Sequence, residues 1–184
     1  MLKVGILIDE MNAVSQLHNI GVEGISPWKV FYEAITTVLE KDYGTIDCTY
    51  HFYGALPPKY ANLDQYYNRS NFFNALSKHG VNVHKGISEY RNGTLIEKGV
   101  DCLIAMDMLE MSVQYDMLFL FSADADLVPA VERAKKNSKV FAILSRQQPA
   151  KFIKTAVDAV VPLEAILKTI DEQYIIKLTK RAAV

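Results

Sequence analysis

The residues in this 184-residue chain whose types and spacing suit chemistry are acidic side chains beside apolar runs. Asp9 closes the run Leu2–Ile8, and Asn12 follows a few positions on. Asp101 stands near the start of the mostly apolar segment Val100–Val113. Asp124 and Asp126 follow the run Met117–Phe121 through Ser122 and Ala123. Two carboxylates about 4 Å apart repel by roughly 4 kcal/mol at an effective dielectric near 20. A fold that gathers these groups must protonate them, pair them with Lys or Arg, or neutralise them with a metal ion. Oxygen ligands without dedicated His or Cys suit a hard cation, so Mg²⁺ or Mn²⁺ held by Asp9, Asp101, Asp124 and Asp126 is the expectation.

The elements that must position these residues alternate in type. Val4–Ile8, Asp47–Tyr53, Val81–His84, Leu118–Phe121, Lys139–Leu144 and Val157–Pro162 read as strands, short and rich in β-branched or aromatic residues. Trp28–Glu40 reads as a helix, with Ser26 as N-cap and Pro27 in the first turn. Further helices are expected at Leu63–His79, Lys98–Val113, Ala125–Lys136, Ala150–Ala156 and Leu163–Lys180. Glu89–Ile96 contains Asn92-Gly93, a strong hairpin-turn signal, and reads as a small β-ribbon. Such alternation predicts an α/β fold, a three-layer α/β/α sandwich on a mostly parallel sheet. In such sheets the C-terminal strand ends open onto one crevice. Asp9 and Asp124 both follow strands, so that crevice is where they are expected to meet.

Composition narrows the function classes. The chain is half hydrophobic with a net charge of −1, so its bulk charge does not announce a nucleic-acid binder. Cys48 and Cys102 are too few for a disulfide framework or a Cys-rich zinc site, and both sit in apolar surroundings that predict buried thiols. The sequence opens on an apolar strand without secretory-signal features, and no apolar run is long enough to span a bilayer, so a cytoplasmic location is expected. His18, His51, His79 and His84 are scattered without metal-ligand spacing and read as structural or surface residues.

Each acid also has an ordinary role open to it. Asp124 suits an N-cap, and Asp126 a first helical turn, where the macrodipole favours negative charge. Asp101 is either a first-turn acid or a residue turned toward the strand ends. Asp107 lies six positions on, about 120° round the helix, and is a weaker candidate for a supporting or surface role. These separate roles do not account for Asp9 ending a strand with Asn12 close behind it.

Four blocks carry a resemblance: Ile8-Asp9-Glu10-Met11-Asn12, Lys98-Gly99-Val100-Asp101, Ala105-Met106-Asp107-Met108-Leu109, and Phe121-Ser122-Ala123-Asp124-Ala125-Asp126-Leu127-Val128-Pro129. In this order and spacing they resemble the NYN domain, the bacterial branch of the PIN-like nuclease superfamily. The resemblance spans residues 1–162 as one nuclease domain, with 163–184 as a C-terminal helix packed on it or on a second copy. It implies a metal-dependent ribonuclease, with the family's acidic positions falling on Asp9, Asp101, Asp124 and Asp126 and with Asn12 in support. One departure is Ala123, where the family usually has Gly; alanine does not readily take positive φ, so that turn is expected to differ slightly. The implied chemistry is hydrolysis of RNA phosphodiesters by metal-activated water. Weaker substrate contacts are expected from Lys59, Tyr60, Arg69, Lys98 and Ser122, with aromatics stacking on unpaired bases at about 1–3 kcal/mol each.

Other readings compete. Aspartate-nucleophile phosphatases want a second Asp two residues after the first, where this chain has Met11. Toprim-type nucleases use Asp-x-Asp, as in Asp124-Ala125-Asp126, but want a Glu where Asp9 stands. A catalytically silent RNA- or protein-binding module of the same fold is the non-enzyme alternative. Homodimerisation through the last helix is a further expectation, and no membrane partner is expected.

Overall fold

A computed structural model describes residues 1–92 and 94–178. Its elements are β1 (Leu2–Asp9), α1 (Glu10–Asn19), β2 (Val22–Ile25), α2 (Trp28–Tyr43), β3 (Ile46–Leu56), α3 (Leu63–Lys78), β4 (Val81–Arg91), β5 (Thr94–Lys98) and α4 (Val100–Ser112). There follow β6 (Met117–Phe121), a 3₁₀ turn at Ala125–Leu127, α5 (Val128–Ala134), β7 (Lys139–Leu144), α6 (Lys151–Ala156), β8 (Ala159–Pro162) and α7 (Leu163–Leu167). A second 3₁₀ turn, Glu172–Tyr174, leads into β9 (Ile175–Lys177). The main sheet has the order β5-β4-β3-β1-β6-β7-β8. Among the described residues, only the β4–β5 hairpin in it is antiparallel. This is the expected three-layer α/β arrangement.

Strand alternation divides the core into two layers. Val4, Ile6 and Ile8 of β1, with Phe52, Phe119 and Phe121, pack under α1, α2, α3 and α7. Leu7, Tyr53, Leu118 and Leu120 face the opposite way, under α4, α5 and α6. Phe31, Phe52, Phe73, Phe119 and Phe121 are fully buried. Each such side chain contributes about 1.5–3 kcal/mol by leaving water. The same alternation carries Asp9 and Ser122, one step beyond Leu7 and Leu120, onto the α4–α5 face.

Several local expectations change. Helix α1 was not expected; Asp9 caps it by accepting from the Asn12 backbone N–H, and Ala13, Gln16 and Leu17 bury its inner face. Helix α2 begins at Trp28 with Pro27 at the N-cap, while the Ser26 N–H donates to the Tyr174 carbonyl at 3.0 Å. The helix expected over Leu163–Lys180 stops at Leu167. Leu163, Ile166 and Ile170 still pack into the core, but Asp171 caps a 3₁₀ turn by accepting from the Gln173 N–H. The following β9 pairs antiparallel with β2, Ile175 opposite Ile25. The rest of that expected helix, from Thr179, lies outside the described residues, as does Gly93 of the expected hairpin turn. Arg91 pairs with Thr94 across that turn, and Asn92 has φ 51°. Cys48 is half-buried and Cys102 exposed rather than buried, because Cys102 lies on the outer side of α4. Among the described residues no helix is long and apolar enough to cross a membrane.

Candidate functional site

From β1 the chain builds outward through β3 and β4 on one side, and through β6, β7 and β8 on the other. The order therefore reverses between β1 and β6, and a crevice opens outside their carboxyl ends. Asp9 ends β1 there, and Ser122 follows the last residue of β6.

Asp9 is 2% exposed and tightly held. The Ser122 hydroxyl donates to its Oδ2 at 2.8 Å, and the Asn12 side-chain amide donates to the same oxygen at 2.7 Å. Asn12 N–H reaches Oδ1 at 3.3 Å. Asn12 also spans the crevice, its Oδ1 accepting from the Ala123 N–H at 3.2 Å. The Asp124 N–H donates to Ser122 Oγ at 3.2 Å, and Asp124 Oδ1 caps the next turn by accepting from the Asp126 N–H at 2.9 Å. Ala123 fits without strain: among the described residues, the non-glycine positions of positive φ are Asn92 and Ala150. Ser122 is fully buried and its hydroxyl is committed to Asp9, so it supports the site from beneath.

The charges press on one another. Burial pushes the Asp9 carboxyl above the ordinary carboxylate range; the bonds from Ser122 and Asn12 oppose this, and the Asp124 charge adds to it. Asp101, in the first turn of α4, is raised by partial burial and then by Asp124, Asp9 and Asp126. Glu97 on β5 is raised by burial, eased by Arg69, and raised again by Asp9 and Asp101. Glu97 is thus a fifth acid beside the crevice, delivered by the hairpin that folds β5 against β4. Among the described residues no ion pair reaches Asp9, Asp101, Asp124 or Asp126.

The basic candidates are placed less uniformly. Arg69 forms a two-pronged pair with Glu10, the residue after Asp9, and lies 4.5 Å over the Phe73 ring. Gly54 makes that pair possible, since a Cβ there would run into Glu10 Oε2 and stand 3.0 Å from Arg69 Nη2. Lys98 is exposed, 3.9 Å from Glu89. Lys59 rests 4.8 Å over the Tyr66 ring, and Tyr60 is 81% exposed. A groove of about 500 Å³ runs beside the crevice, lined by Met11, Gln65, Asn68, Arg69, Leu95 and Glu97 among others.

A second polar cluster lies under the same α4. His51 and His84 stand on neighbouring strands β3 and β4, with Tyr53 in register with His84. His51 Nδ1 is 3.0 Å from His84 Nε2. His84 Nδ1 is 2.9 Å from Asp107 Oδ2, which also accepts from the Tyr53 hydroxyl at 2.8 Å. Burial pulls His51 down to about 4, with His84 adding to the effect; His84 is lowered by burial, against the pull of Asp107. Among the described residues, the set of three or more His, Cys, Asp or Glu ligand atoms within 4.8 Å of one another is His51, His84 and Asp107. The crevice carboxylates stand wider than that. Sequence spacing hid this cluster because parallel-strand register, which brings residues 51 and 84 together, is not written in local periodicity.

Comparison with known proteins supports the family. A solved protein of unknown function from Vibrio parahaemolyticus has the same fold, with a TM-score of 0.63 at 18% identity over 95% of this chain and 96% of that one. No curated protein matches the chain. The model of the NYN domain matches residues 3–164, a span that includes every acid of the crevice. The chain therefore belongs to the NYN domain family, within the PIN-like nuclease superfamily.

Proposed function

We propose that the protein is a metal-dependent ribonuclease that hydrolyses phosphodiester bonds of single-stranded RNA at the β1–β6 crevice. The observation that carries this reading is Asp9, a carboxylate 2% exposed, fixed by Ser122 and Asn12 and facing further acids, with no Lys or Arg paired to it among the described residues. Retaining such charge disfavours the folded state unless something binds it.

The donor set fits a hard divalent ion. Asp9 Oδ1 accepts only the long Asn12 contact at 3.3 Å, and one Asp124 oxygen is used in capping. That leaves carboxylate lone pairs on Asp9, Asp124, Asp101 and Asp126 for Mg²⁺ or Mn²⁺. A divalent ion held there would supply the Lewis acidity that polarises a phosphodiester and makes water a competent nucleophile near neutral pH. The chain's own residues do the positioning. Ser122 and Asn12 lock the Asp9 rotamer and tie the β1 turn to the β6 turn. Asp124, braced by its cap to Asp126, presents its carboxylate from the opposite wall.

The groove beside the crevice suits a single strand. Gln65 and Asn68 offer hydrogen bonds along it, and exposed Met11 offers an apolar surface to a base. Lys59 and Tyr60, at the surface before α3, supply a cation and a stacking ring. Arg69 is spent on Glu10, so its role is to shape the wall.

The test is incubation of end-labelled single-stranded RNA with the protein and Mn²⁺, Mg²⁺ or EDTA. Cleavage with either ion, and none with EDTA, is expected. No cleavage together with no heat of Mn²⁺ binding would instead favour a binding module with a silent crevice.

A further inference from the structure

His51 and His84 turn ring nitrogens toward each other, and the groups around them point to a ligand. Asp107 accepts at 2.9 Å from His84 Nδ1, so that nitrogen carries the hydrogen and His84 Nε2 presents a lone pair. On the other side, His51 Nε2 lies 3.3 Å from Thr49 Oγ1. Thr49 Oγ1 also lies 3.1 Å from the Tyr115 hydroxyl, and when it donates there it is free to accept from His51. His51 Nε2 then carries the hydrogen and His51 Nδ1 is a second lone pair; in the other tautomer one hydrogen on His51 Nδ1 bridges the two rings. In the first arrangement two lone pairs face each other at 3.0 Å. That is the arrangement a metal ion selects, with a ligand nitrogen of each ring and an Asp107 oxygen all within 4.8 Å of one another.

We propose that His51 Nδ1 and His84 Nε2 bind a borderline transition ion of the Zn²⁺, Co²⁺ or Ni²⁺ class, at a site separate from the acidic crevice. Two imidazole nitrogens each about 2.0–2.1 Å from one zinc ion stand about 3.3 Å apart in tetrahedral geometry, close to the spacing present here. Asp107 holds His84 from behind, and Tyr53 holds Asp107 by a hydroxyl at 2.8 Å, the carboxylate–histidine arrangement that fixes tautomer and orientation in metal-ligating histidines. The Asp107 carboxylate also lies close enough to offset one charge of the ion. Nitrogen donors select against Mg²⁺ and Ca²⁺, which want oxygen. The side chains of His84 and Asp107 are 26% and 22% exposed, so an ion and its remaining waters can enter from solvent. Nothing in the proposed hydrolysis requires this site.

The experiment is titration of chelator-treated protein with Co²⁺ or Zn²⁺, followed by calorimetry and by visible absorption of bound Co²⁺. Wild type and Asp124→Asn should each take up one imidazole-bound Co²⁺ ion, with the same affinity and visible spectrum, whatever further ion the acidic crevice takes. His51→Ala should lose that binding, and Asp107→Asn should weaken it about 10–100-fold. Binding lost in Asp124→Asn but kept in His51→Ala would overturn the proposal, as would no uptake by folded wild type. Anomalous diffraction at the zinc edge from wild-type crystals needs no variant. A peak between the two imidazoles is expected, and a peak confined to the crevice, or none, would contradict it.

Discussion

Asp9 and Glu10 are adjacent in sequence and both buried, yet the molecule treats their charges in opposite ways. On the wall of the groove, Glu10 is clamped by Arg69, whose guanidinium also lies over Phe73, and Gly54 leaves room for the pair. On the crevice floor, the donors to Asp9 among the described residues are the neutral Ser122 and Asn12, while Asp124 and Asp101 bring further negative charge. The wall is electrostatically complete. The floor keeps a net negative charge that a cation would complete. Charge is neutralised internally on the wall and left uncompensated on the floor, where the proposed function puts a metal ion.

That contrast predicts opposite signs for mutations a few ångströms apart. Arg69→Ala should have the largest effect, costing about 3–5 kcal/mol in urea unfolding because it strands a buried Glu10 charge. Glu10→Gln in the same background should recover part of that loss. Next in size, Mn²⁺ at about one hundred times its dissociation constant should stabilise wild type by about 2.7 kcal/mol and leave Asp9→Asn unmoved. Equal stabilisation of both would place the ion elsewhere.

The histidine pair offers a third, separable response. Folding pulls His51 from 6.5 to about 4, so the unfolded chain takes up a proton before the folded one does. Its contribution is therefore present above pH 6.5 and is lost as the pH falls toward 4, by about 2 kcal/mol. In His51→Phe the decline in stability between pH 7 and 4.5 should be correspondingly shallower. The smallest effect belongs to Asp101→Asn. It relieves repulsion at an exposed position and should stabilise the metal-free protein by up to about 1 kcal/mol in thermal melts, with metal-dependent activity reduced.

The sheet was legible in sequence because strands buried on both faces read as apolar runs, as Leu118–Phe121 does. The meeting of Asp9 with the Ser122–Asp126 turn followed from the rule that strand ends share a crevice at a reversal of strand order. What escaped depended on register. Glu97 reaches the crevice only through the β4–β5 pairing, and His51 meets His84 only through the β3–β4 pairing. Helix α1 was masked because its cap is Asp9 itself, read as a ligand. The helical stripe of Ile166, Ile170 and Tyr174 ran smoothly into Ile175, but pairing of Ile175 with Ile25, 150 residues away in the chain, turned that stretch into β9.

The central claim is that the uncompensated floor is a hydrolytic centre. Its most direct test is cleavage of labelled single-stranded RNA in Mn²⁺ by wild type and Asp124→Asn, prepared and assayed side by side. The account predicts cleavage by wild type and a loss of about 1,000-fold or more in the variant, as expected when several kcal/mol of transition-state stabilisation is removed. Equal cleavage by the two proteins, or none by a wild type that remains folded in Mn²⁺, would contradict it.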